Sequence, residues 1–66
     1  MIMEIGITAG EIWHYLDEHG EVFLPDLIKS IERKRELVLM SLGWLAREGH
    51  VMVVAQGGEY KVWLRK

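Results

Sequence analysis

Apolar residues fall along this chain in three spacings, each of which predicts a different element. Ala9, Ile12, Trp13 and Leu16 recur at helical intervals, and Gly20 follows as a left-handed stop, so a first helix is predicted from about Ala9 to His19. Thr8 and Glu11 fit a capping box ahead of it, with Ile7 and Ile12 in the staple positions. Glu21, Val22 and Phe23 suit a short strand. Leu24-Pro25-Asp26 then opens a second helix, because proline's fixed φ and missing N–H suit a first turn and Asp26 complements the dipole there. Leu27, Ile28 and Ile31 form its apolar stripe.

The charged run Glu32 to Glu36 reads as the turn into a third helix, which extends to Glu48 and stops at Gly49. His50 to Ala55 is strand-like, Gln56-Gly57-Gly58-Glu59 is a tight turn, and Tyr60 to Leu64 returns. Tyr60, Val62 and Leu64 alternate with Lys61, Trp63 and Arg65, which predicts one covered and one open face. Met1 to Ile5 alternate weakly and fit an added strand, a cover over the third helix, or a frayed end. The order of elements is α+β: three helices, a short strand between the first two, and a C-terminal hairpin.

That layout resembles the winged helix-turn-helix superfamily over nearly all of residues 1–66, read as a single domain. Val38, Leu42, Leu45, Gly49 and Val51 are similar to the end of a recognition helix and the first wing strand of regulator-type winged helices. Ala9-Gly10-Glu11-Ile12-Trp13 and Gly43-Trp44-Leu45-Ala46-Arg47-Glu48 look like a family of small, stand-alone prokaryotic winged-helix proteins of uncharacterised function. The resemblance implies that the third helix corresponds to the one that enters the DNA major groove, where outward side chains read base edges.

Base reading needs hydrogen-bond donors and acceptors. At about 100° per residue, Val38, Ser41, Leu42 and Leu45 face inward, and the positions similar to base-reading sites carry Leu39, Met40, Gly43 and Trp44. None of these is a strong reader. A helix apolar over most of its circumference expects burial on more than one side, and Trp and Met are enriched at protein interfaces. Two accounts stand: the same chain covers these residues, or they meet a protein partner or a second copy.

Composition changes this picture little. Half of the 66 residues are hydrophobic, enough for one small core, and there is no Cys for a disulfide or thiolate metal site. No uncharged run exceeds ten residues, the length of Leu37 to Ala46, against about 18 for a membrane span. The N-terminal segment lacks a basic region followed by a long apolar one, so a cytoplasmic location is expected.

Charge does change it. Residues 1–28 carry six acidic residues and no Lys or Arg, whereas residues 29–66 carry all eight Lys and Arg against four acids. Lys29, Arg33, Lys34 and Arg35 gather at the start of the third helix, where the dipole disfavours them. Together with Lys61 and Arg65 on the last strand they are candidate phosphate contacts to duplex DNA. Against this, the chain is slightly acidic with a pI near 5.8, Glu32 and Glu36 sit within the cluster, and the two halves can simply attract one another. The open strand face with Trp63 is either a stacking platform for single-stranded nucleic acid or cross-strand packing.

Chemistry-bearing motifs are sparse. His14 with Glu18 and Tyr15 with His19 stand one helical turn apart, but no second His completes a metal set. His50 reads as a surface residue. There is no Walker-type loop or dinucleotide fingerprint, and the chain leaves little room for a substrate pocket beside its core. No catalytic residue, metal, cofactor or small-molecule substrate is expected, and the third helix lacks the basic face of a membrane-surface helix. The leading expectation is a non-enzymatic module that binds protein through Leu39, Met40, Gly43 and Trp44. The alternative is a regulator-like DNA-binding protein that uses the basic turn and wing.

Overall fold

A computed structural model describes residues 1–66, with the element order α1 (Ile2–His19), β1 (Val22–Phe23), α2 (Leu24–Ser30), α3 (Arg35–Arg47), β2 (Val51–Gln56) and β3 (Glu59–Leu64). The three strands form one antiparallel sheet in the order β1-β3-β2. Register is set by Val22 and Val53 flanking Val62, and by Val51 opposite Leu64. The hairpin turns on Gly57 and Gly58, both at positive φ (58° and 84°), as the mirror-image turn of a two-residue hairpin requires.

The core follows from the periodicities. Val38, Ser41, Leu42 and Leu45 are the buried residues of α3, the four positions expected to face inward. They meet Ala9, Ile12 and Leu16 of α1, Leu27 of α2, Ile31 beyond it, and Val51, Val62 and Leu64 of the sheet. Ser41 satisfies its hydroxyl by donating to the Leu37 carbonyl at 2.7 Å. Gly49, at φ 81°, ends the α3 segment. On β3, Val62 and Leu64 are buried while Tyr60 is exposed, and Lys61 and Trp63 on the other face are half-buried. That alternation therefore holds only away from the hairpin tip.

The first helix departs from expectation. It starts at Ile2 with Met1 as its N-cap, so Thr8 is an interior helical residue and caps nothing. Ile5 donates its backbone N–H to Met1 and is half-buried, which favours continuing the helix through Ile7 over breaking it at Thr8. Ile7 is exposed rather than stapled to Ile12, and Glu11 points away to another partner. The remaining boundary differences are one or two residues: α3 starts at Arg35, within the run expected to form the turn, and ends at Arg47 rather than Glu48, and β2 covers Val51–Gln56.

Placing Thr8 inside the helix has an energetic consequence. Its side chain is fully buried and its Oγ1 has no hydrogen-bond partner. A buried unsatisfied hydroxyl costs on the order of 1–3 kcal/mol. Thr8→Val keeps the shape and removes the orphan atom, so it is expected to stabilise the domain by about 1–2 kcal/mol in urea unfolding. A loss of stability on this change would mean that the hydroxyl is paired in solution.

Candidate interaction surface

The outer side of α3 is open. Met40 is 43% and Trp44 48% exposed, Gly43 is exposed and a Cβ there would meet nothing within 4 Å, and Leu39 is half-buried. Met40 and Gly43 fall opposite the core, with Leu39 and Trp44 on the two flanks. The chain therefore leaves Met40 and Trp44 substantially uncovered.

Trp44 does not stand alone. With Ile2, Ile5 and Gly6 of α1 it lines an apolar groove of about 410 Å³. Its indole also lies 6.3 Å, centroid to centroid, from the His50 ring just before the wing. Met40 borders a second depression, between the start of α1 and the α2–α3 turn, with Met1, Glu4 and Leu37 among its walls. Ile2 and Met3 are 88% and 78% exposed. The apolar surface thus runs from α3 onto the first turns of α1, a continuation absent from the sequence reading. Its signal was present in Met1, Ile2, Met3 and Ile5, but these residues join the surface only once the helix is known to start at Ile2.

The basic residues are dispersed and in part engaged. Arg33 donates through Nε and Nη2 to both carboxylate oxygens of Glu11, at 2.8 and 2.7 Å. Lys61 lies 3.3 Å from Glu21 and over the Phe23 ring at 5.5 Å. Arg65 lies beside Gly49. Lys29, Lys34 and Arg35 are exposed and make no ion pair. Lys66, outside the candidate set, reaches Asp17 at 3.2 Å. The pairs Glu11–Arg33, Asp17–Lys66 and Glu21–Lys61 each join the acidic first part of the chain to the basic remainder.

Other candidate chemistry is dispersed too. His14 packs edge-on against Trp13, and His19 lies tilted by 30° over Tyr15, whose hydroxyl accepts a hydrogen bond from Ser30. No group of three or more His, Asp or Glu side chains converges on a metal-sized site. No helix is long and apolar enough to cross a membrane.

Three helices with a three-stranded sheet and a terminal hairpin define a winged helix-turn-helix domain, a class that is typically non-catalytic. Residues 1–64 match the winged helix-turn-helix domain family DUF2582, and the chain belongs to that family. An uncharacterized protein of Methanocaldococcus jannaschii is 35% identical over 65 residues, covering 94% of this chain and 91% of that protein. A Bacteroides thetaiotaomicron protein known from a solution NMR structure is 29% identical, with a TM-score of 0.82 over 94% of this chain and 76% of its own. HOP2, described by its DNA recognition and protein interaction domains and its homologous DNA pairing properties, has the same fold. Its TM-score is 0.71 at 22% identity, over 88% of this chain and 98% of that one.

The Glu11–Arg33 contact makes a pH prediction. Hydrogen bonding to Arg33, reinforced by its charge, holds the Glu11 carboxyl below its ordinary value of 4.5. A carboxylate with a lowered folded-state pKa contributes stability above its unfolded value and loses it as pH falls through the folded one. Glu11→Gln should therefore lower the urea midpoint near neutral pH, and the difference should close as the pH falls through the lowered folded-state pKa of Glu11. A gap that does not change with pH would show that the pair adds nothing to stability.

Proposed function

We propose that this domain is a non-enzymatic interaction module that docks onto protein through the outer face of α3. Leu39, Met40, Gly43 and Trp44 form the contact, and the first turns of α1 extend it. One observation carries the reading: where a DNA-reading winged helix needs donors and acceptors, Met40 and Trp44 present 43% and 48% of their surface to solvent. Large, rigid or adaptable apolar side chains of this kind anchor protein interfaces.

The second reading, duplex DNA bound through the turn and wing, is favoured by the unpaired Lys29, Lys34 and Arg35 and by the fold shared with HOP2. It is weakened where Glu11 and Glu21 hold Arg33 and Lys61. Phosphate binding driven by a few cations falls steeply with salt.

A photo-crosslinking side chain at Met40, with one at Asp26 as the control position, separates the two readings in the protein's own cells. Protein adducts from position 40, lost with Trp44→Ala in a chain that keeps its helical circular dichroism, are expected. Nucleic-acid adducts from position 40, together with duplex binding that weakens as salt rises, would replace this reading with the second.

A further inference from the structure

We infer that the domain pairs with a second copy of itself across the flank of α1 that carries Gly6 and Gly10, with Trp44 at the edge of the contact. The inference deepens the reading above and rests on it for the role of Trp44.

The two long flanks of α1 differ. At about 100° per residue, Glu4, Glu11 and Tyr15 share one side, and the fold uses it: Glu11 holds Arg33, and Tyr15 accepts a hydrogen bond from Ser30. Ile2, Gly6, Gly10 and Trp13 share the other, and all four are exposed in the monomer. Ile2 is 88% exposed and Trp13 36%. The groove of about 410 Å³ between Ile2, Ile5, Gly6 and Trp44 opens on this side.

The glycines have no use in the isolated chain. Glycine weakens a helix interior. Neither Gly6 nor Gly10 takes a positive φ, and a Cβ at either position would meet nothing within 4 Å. What a missing side chain allows on an exposed helix is close approach by another backbone.

The lack of charge on this flank suits a second copy. A two-fold contact sets the same patch against itself, so any charge near its centre meets its own kind. From Ile2 to Trp13 this flank carries no ionisable side chain, although residues 1–28 carry six acids. Glu4 and Glu11 lie on the far side, and the next acid along the flank, Asp17, already holds Lys66. The one stretch of α1 that can meet itself without repulsion is also the stretch with apolar knobs and glycine gaps. An antiparallel crossing between Gly6 and Gly10 brings Ile2 and Met3 of one copy toward Trp13 of the other. An interface of ordinary size takes about 800 Å² from each partner, out of 4650 Å² here. The flank of an 18-residue helix with Trp44 beside it provides the apolar centre of such a contact.

Sedimentation equilibrium of the full chain, followed up to about 1 mM, tests this. A dimer is expected, with Gly10→Leu and Ile2→Glu each weakening association by about tenfold or more while helical circular dichroism and the thermal midpoint of the dilute protein are kept. Val54→Glu, at an exposed position of β2 outside both surfaces, should leave association unchanged. A chain still monomeric at about 1 mM overturns the inference. So does a dimer that tolerates Gly10→Leu and Ile2→Glu but is lost on Met40→Glu; that result would leave the α3 docking face standing without the α1 pairing.

Discussion

The domain hangs on a single small cluster of side chains in which α1 lies across α3 and β3. Eleven buried apolar residues make up that cluster, and only 13 of 66 residues are buried in all. Ile12, Leu16, Leu27, Val38 and Val62 reach full burial because each comes from a different turn or strand and all point to one centre. A chain this short cannot do more, since its surface is large for its volume. Half of its residues are hydrophobic, so a core of this size leaves much of the apolar content outside it. The surface of α3 and the first turns of α1 are therefore a consequence of the same limit that sets the core.

Electrostatics closes the fold without building a strong field. The acidic first part and basic remainder meet in Glu11–Arg33, Asp17–Lys66 and Glu21–Lys61, each linking elements far apart in sequence. All three pairs are partly exposed, and such pairs add little stability singly. Their effect on recognition is larger. Arg33 sits at the head of α3, where a phosphate-binding winged helix would aim positive charge, and its guanidinium is occupied by both oxygens of Glu11. Charge that could act at long range on a polyanion is spent on a partner within the chain, and only Lys29, Lys34 and Arg35 are left unpaired around that turn.

Periodicity made α3 legible. Val38, Ser41, Leu42 and Leu45 face inward as the 3.6-residue repeat requires, and the exposure of Met40 and Trp44 follows from the same geometry. Gly57-Gly58 announced the hairpin for an equally local reason, since both positions need positive φ. The start of α1 was not legible. A threonine followed three residues later by a glutamate looks the same whether it caps a helix or lies within one. The decision was made by Ile5 lining the groove beside Trp44 and by Arg33, 22 residues further on, taking Glu11. Contacts at that separation leave no mark on local spacing, so the groove beside Trp44 was invisible for the same reason.

Local cost is concentrated in α1. A domain of 66 residues is expected to be stable by only about 3–10 kcal/mol. Glycine in a helix interior costs about 1 kcal/mol relative to alanine, and α1 contains both Gly6 and Gly10 at positions where a methyl group would meet open space. Thr8, between them, leaves its hydroxyl unsatisfied in the core. These departures from helical preference fall within five consecutive residues, beside the groove that contains Trp44. The turn chemistry of the hairpin carries no comparable conflict, and α3 carries a single interior glycine, Gly43. Sequences that specify one fold tend to agree with themselves at every level, and disagreement gathers where a surface serves something besides the monomer. In this chain the disagreement lies on the helix that the core holds by one side only, where an apolar and uncharged flank still needs cover.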